Sequence, residues 1–290
     1  MSFRIARNIS QHIFPTEKIE GNGARIYRSI GIRSLRNLDP FLLFDEFYIE
    51  EPGGFPPHPH RGFETVTYLL EGKIQHRDFK GHQGLIGPGD LQWMTAGKGI
   101  VHTELAASQK VHGLQLWVNL SHRHKMMDPQ YQEISKHRLT HVAPEPGIDI
   151  NVLAGSFQGA SSPILTRTPM IFVDVQLKEK GKQLEQAIPA DFNGFIYPLK
   201  GSVKFGDVVT LDGTRQMLVL SQNGGTYVSV KSLSDDARFI MVAGKPLCEP
   251  VVQYGMFAMN TQKEVFKAQE DFEHGRFGFE QALEWINANK

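Results

Sequence analysis

From Ala24 to Leu120 the chain alternates apolar and polar residues in short runs: ARIYRSIG, ETVTYLLEGKIQHRDF, GLIGPGDLQWMTAG, IVHTEL and HGLQLWVNL. Successive side chains on a strand point to opposite faces, so this period of two predicts a meander of half-buried strands. In the last run Leu114, Leu116, Val118 and Leu120 share one face, and Gln115, Trp117 and Asn119 share the other. Asp39-Pro40 and Pro88-Gly89-Asp90 supply turns between runs. After Leu120 the character changes to SHRHKMMDPQYQEISKHRLTHVAPEPG, which reads as a polar linker with a short helix around Pro129 to Ser135. Beyond Gly147 strand-like runs resume: DINVLAG, MIFVDVQL, GFIYPLKGSVKFG, RQMLVLS, TYVSVKS and RFIMVAG.

The second set of runs repeats the first. TYLLEGKI, from Thr67 to Ile74, matches IYPLKGSV, from Ile196 to Val203, and both carry Tyr-x-Leu-x-Gly, as expected where a strand ends in a tight turn. Two duplicated folds are therefore expected. The closing stretch TQKEVFKAQEDFEHGRFGFEQALEWINANK has helical spacing: Thr261 caps, Val265, Phe266 and Phe272 share a side, and Gly275 and Gly278 interrupt.

Composition sharpens this picture. The 290 residues exceed what one core normally serves, and 28 Gly with 16 Pro favour short strands over long helices. The expected class is all-β in two domains. Basic and acidic residues balance at 31 each, so no global field draws the chain to nucleic acid or anionic lipid, and direct nucleic-acid contact is not expected. The single Cys248 can form no internal disulfide, MSFRIARNIS lacks the apolar core of a secretory signal, and no run is long enough to span a membrane. These features predict a soluble protein of a reducing compartment, cytoplasmic and, in a eukaryote, also nuclear.

The candidate chemistry sits in HPHRGFE. His58 and His60 on an extended backbone project the same way, about 7 Å apart. A second period-two pair, His102 and Glu104 in GKGIVHTEL, follows a glycine-rich turn. On neighbouring strands the two pairs supply three imidazoles and a carboxylate, a set suited to a transition metal. The alternative is that His102 and Glu104 pair across a barrel mouth while His58 and His60 cap a strand. His122 and His124 form another His-x-His, but in the polar stretch and with no companion ligand. Phe55, Phe63 and Trp93 are candidate apolar walls or simple core. His112 reads as a core histidine or a support to the site, His76 and His82 as solvated turn residues, and Arg61 as a partner for Glu64. Pro57 and Pro59 bias the residues before them toward extended backbone and so pre-set the two imidazoles.

The order HPHRGFE, YLLEG, PGDLQWMTAGKGIVHTE resembles the two histidine motifs of the cupin superfamily. It departs from them in two displaced glycines and in Glu104, which competes with Glu64 for the acidic ligand position. With NLDPFLLFDEF, HGLQLWVNL and PQYQE, these departures are similar to the pirin branch. The resemblance implies two tandem cupin barrels, with boundaries expected at residues 1–134 for the first and 135–290 for the second plus the helical tail. It implies one mononuclear Fe(II) in the first barrel, held by His58, His60, His102 and Glu104, and a second barrel without metal. The second half agrees, having no histidine between His141 and His274. By ligand hardness alone Cu, Ni, Mn and Zn stay open. A monomer is expected. The resemblance further implies cleavage of a flavonol such as quercetin with dioxygen, with Glu104 or a nearby base accepting the substrate proton. Its alternative is a redox-sensing regulator whose protein partner is a transcription factor or a metabolic enzyme.

Overall fold

The period-two runs fold as antiparallel strands in a computed structural model that describes residues 5–222 and 224–289. Met1 to Arg4, part of the stretch read for a secretory signal, and Lys290 of the tail lie outside the described residues. By their internal contacts the residues form two compact units, one of Thr16–Gly31, Phe41–His137 and Leu247–Lys290, the other of Met1–Pro15, Ile32–Pro40 and Arg138–Pro246. The helical tail thus groups with the histidine-bearing half, not with residues 135–246 as the sequence suggested.

In the histidine-bearing unit a seven-stranded sheet runs in the order Gln130–Ile134, Leu91–Thr95, Phe63–Glu71, Lys110–Asn119, Phe41–Glu50, Ala24–Ile30, Thr16–Glu20. A four-stranded sheet runs Gly54–His60, Ile100–Ala106, Ile74–Asp78, Gln83–Ile86. Ala24, Ile26, Phe47, Leu69 and Val111 of the larger sheet pack on Ile74 and Ile86 of the smaller, closing the double-stranded β-helix of a cupin. The other unit repeats this plan. Its seven strands run Ile9–Ile13, Met217–Leu220, Asn193–Lys200, Ala237–Gly244, Met170–Leu177, Ile148–Ala154, Thr140–Val142, and its four run Gln183–Ala187, Tyr227–Ser232, Val203–Phe205, Val208–Thr210. Phe63–Glu71 and Asn193–Lys200 occupy the same place in the two plans, as the Tyr-x-Leu-x-Gly match anticipates.

That match also fixes the turns. Gly72 and Gly201 both have positive φ, 77° and 73°. A Cβ on Gly72 would collide with the Lys110 carbonyl oxygen, so neither backbone nor space admits a side chain. Gly72→Ala is expected to destabilise the protein by at least about 1–3 kcal/mol, checked by chemical denaturation.

Three sequence expectations change here. Residues 129–135 form no helix: Gln130–Ile134 is a strand paired with Leu91–Thr95, so this part of the supposed linker completes the larger sheet. With three polar residues in five, and Tyr131 and Ile134 out of period-two step, its sequence carries almost no hydrophobic alternation, which is why it reads as linker. Trp117 and Asn119 are buried although they share the polar-looking face of their strand. In the tail, Thr261 caps helix Gln262–Glu273 through a capping box, and Val265 is buried, but Phe266 is exposed. One residue on from Val265 is a 100° turn of the helix, which takes Phe266 off the stripe that Val265, Ala268 and Phe272 make. That stripe, with Phe279 and Ala282, packs on Met94, Ala96, Ile100 and Val101 beneath the strands that carry the histidines.

Candidate metal centre

Gly54–His60 is the edge strand of the smaller sheet, and this is why it tolerates prolines: an edge strand has one ladder to satisfy, not two. Its neighbour Ile100–Ala106 sets His102 opposite His58, then shifts register before Glu104, which lies opposite Phe55. The bulge re-aims the second pair toward the first. On the far side Glu104 lies opposite His76.

The structure brings His58, His60 and His102 together, with Glu104 next to His102. One nitrogen from each of His58, His60 and His102 lies within 4.8 Å of the others, and their ring centroids are 4.4 to 5.0 Å apart. Glu104 Oε2 is 4.0 Å from His102 Nε2. His58 Nδ1 lies 2.8 Å from the Pro56 carbonyl oxygen, which can only accept, so Nδ1 carries the proton and Nε2 keeps its lone pair. Glu104 Oε1 accepts from the Thr67 hydroxyl at 3.1 Å, and Gln115 Oε1 lies 3.2 Å from the same hydroxyl.

Electrostatics favour neutral imidazoles. Burial pulls His58, whose ring faces the other two although the residue is half-buried, down to about 4, with the Pro56 bond opposing. Burial likewise holds His60 and His102 well below their ordinary value, each aided by its imidazole neighbours. Burial pushes the Glu104 carboxyl up, against the Thr67 bond. His60 Nδ1 and both ring nitrogens of His102 are buried with no hydrogen-bond partner, an arrangement that costs about 1–3 kcal/mol per group when nothing binds there. Neutral imidazoles with unpaired lone pairs, beside a carboxylate, fit a divalent transition ion.

The cluster lies at a cleft of about 460 Å³, lined by Phe47, Phe55, Trp117, Gln115 and Gln253 among others. Of the three aromatic residues expected as walls only Phe55 lines it. Phe63 and Trp93 are fully buried, Phe63 packing edge-on to His60 and against Trp117. Trp117 is the wall that the sequence hid on a polar face, 5.3 Å from His60 between ring centroids.

Other candidates resolve differently. Arg61 does not meet Glu64: both are buried, but Arg61 bonds Asp271, while Glu64 accepts from Thr95 at 2.6 Å. His112 reaches Glu46 at 2.8 Å and stacks on Tyr48, away from the cluster. His122 and His124 enter no metal-binding group among the described residues. His76 is not a solvated turn residue but fully buried on a strand, while His82 does sit on the turn, partly exposed, and both approach Glu133. Lys125, in the supposed linker, is buried on three oxygens, those of Gly62, Asn119 and Ala258, and burial pulls it down to about 8.

The family model described as Pirin matches residues 23–118, and that described as Pirin C-terminal cupin domain matches residues 172–278. The chain belongs to the pirin family. Human Pirin is 45% identical over 287 residues, spanning 97% of both chains, and a tomato pirin-like protein is 45% identical, spanning 98% of both. A solved quercetin 2,3-dioxygenase from Acinetobacter baumannii superposes with a TM-score of 0.86 at 32% identity, over 95% of this chain and 99% of that one. The bacterial pirin YhhW of Escherichia coli, solved with nickel(II), has the same fold, with a TM-score of 0.66 at 21% identity over 81% of this chain and 98% of that one. This pirin-family chain is mostly β, with two cupin-type units and short helices near its C-terminus. No helix among its described residues is long and apolar enough to cross a membrane.

Proposed function

We propose that this chain is a mononuclear iron-dependent dioxygenase that opens a flavonol of the quercetin type with dioxygen and releases carbon monoxide. The observation that carries the reading is a group of three neutral imidazoles, with Glu104 Oε2 4.0 Å from one of them, at an aromatic-walled cleft. The likeness to a quercetin 2,3-dioxygenase at 32% identity supports it. His58, His60, His102 and Glu104 would hold the ion in the first cupin unit, and the other, without histidine ligands, would hold none. Iron(II), when bound, supplies Lewis acidity toward a phenolic oxygen and a redox partner for dioxygen.

The chain's own residues prepare the substrate. Phe55 and Trp117 bound a slot for a flat ring system, and the amides of Gln115 and Gln253 offer bonds to its hydroxyls. Glu104 Oε2 accepts the proton of the 3-hydroxyl, while Thr67 steadies Oε1. We place the boundary between the two cupin folds near residues 134 and 135, and propose a monomer in the cytoplasm or nucleus.

The test is quercetin in air with the iron-loaded protein. Loss of the flavonol with one carbon monoxide per turnover is expected. An iron-loaded protein that leaves quercetin intact removes the dioxygenase reading and favours the redox regulator with a protein partner.

A further inference from the structure

A second group of ligand-type side chains lies in the same unit and shares no residue with the first. His76 sits on Ile74–Asp78, His82 on the turn that follows, and Glu133 on the edge strand Gln130–Ile134. Nitrogen from each histidine and oxygen from Glu133 lie within 4.8 Å of one another. Nε2 of His76 is 2.7 Å, and Nε2 of His82 3.0 Å, from the same oxygen, Oε1 of Glu133.

Three features go beyond a hydrogen-bonded contact. His76 is fully buried, yet neither of its ring nitrogens makes a properly directed hydrogen bond: Nε2 is aimed into the cluster without one. Gly84 stands directly across the ladder from His76, and a Cβ there would collide with His76 Nε2 and lie 3.0 Å from Glu133 Oε2. The backbone therefore keeps side-chain volume out of the space between the ligand atoms. Finally, the ligands are held from behind. Gln92 donates to Glu133 at 3.0 Å, the His82 and Lys80 amides both donate to Asp78 and so fix the turn, and Tyr131 stacks on His82 with centroids 4.0 Å apart. His82 and Glu133 are about one-third exposed, which gives solvent access on one side.

We propose that His76, His82 and Glu133 form a second metal site, open to solvent, that takes a zinc-class divalent ion with water as its fourth ligand. Two imidazoles and a carboxylate with one open position are a donor set that zinc and its borderline neighbours accept. The buried His76 provides the anchor, and the half-exposed pair provides the entry.

The test uses the full-length protein and zinc alone. Metal analysis after equilibration at micromolar zinc, with anomalous scattering at the zinc edge to locate the ions, should give two per chain. His82→Ala and Glu133→Gln should each weaken the second ion by about 100-fold while leaving the first in place. Gly84→Ala should do so without removing a ligand, and His58→Ala with His102→Ala should keep zinc at His76, His82 and Glu133. Thermal unfolding of each variant without metal identifies any that fails to fold, and the three independent second-site variants keep the test decisive. One zinc per chain, insensitive to His82→Ala, overturns the proposal and leaves a hydrogen-bonded staple only. Zinc seen there at crystal-soak concentration but not at micromolar zinc overturns it equally.

Discussion

His102→Ala is expected to abolish iron binding at the first cluster and quercetin turnover with it, each by about two orders of magnitude or more. His102 is the centre of the group: its ring is 4.4 Å from that of His58 and 5.0 Å from that of His60, and its Nε2 is 4.0 Å from Glu104. The same substitution should barely lower the stability of the metal-free protein. Cavity formation costs stability, but two buried nitrogens without partners are removed, each worth about 1–3 kcal/mol in the opposite sense. This split distinguishes a ligand from a structural histidine. Iron titration and thermal unfolding of the metal-free variant check it; a large fall in melting temperature with retained iron would assign His102 a packing role.

Arg61→Met is expected to be the most destabilising single change in the histidine-bearing unit, at about 3–5 kcal/mol. Arg61 and Asp271 are almost wholly buried and meet at 2.8 Å. The guanidinium also donates to the carbonyls of Lys98 and Phe277, both at 2.6 Å, and lies 4.7 Å from the centre of the Phe279 ring. Burial alone pulls Arg61 below its ordinary value, and Asp271 opposes this, so each charge is tolerable because the other is present. Removing Arg61 leaves Asp271 with Lys267 at 3.1 Å as its remaining cation. Since Arg61 follows His60 directly, its loss also loosens the strand that carries two of the imidazoles and frees the tail for proteolysis. Urea unfolding of Arg61→Met and of the double variant with Asp271→Leu checks the coupling: the double variant should cost clearly less than the sum. A change below about 1 kcal/mol for Arg61→Met would contradict the account.

What the sequence could carry follows from these residues. The approach of His58, His60 and His102 was legible because period-two spacing on strands is local information, and such pairs converge once the strands are neighbours. The duplication was legible through Tyr-x-Leu-x-Gly, since a positive-φ glycine at a strand end leaves a fixed mark. Arg61 was misassigned because its partner stands 210 positions away, and no local pattern distinguishes Asp271 from a solvated helix residue. Glu133 was hidden for a related reason: its strand reads as polar linker when the residues that cover it are not known. Trp117 and Gln115 read as a solvent face because alternation reports polarity, and a barrel interior that surrounds a site is polar as well. The tail's grouping with the first unit rests on Val265, Ala268 and Phe279 meeting Ile100 and Val101, contacts that spacing along the chain cannot reveal.

In the proposed site three imidazoles and one carboxylate hold a single ion beside an aromatic cleft. The X-ray absorption spectrum of the iron-loaded protein at the iron edge, recorded on the His82→Ala variant to silence the second cluster, tests it most directly. Scattering from three imidazole rings is expected, falling to two in the further variant His60→Ala. A spectrum with one imidazole or none, or one unchanged by His60→Ala, would contradict it.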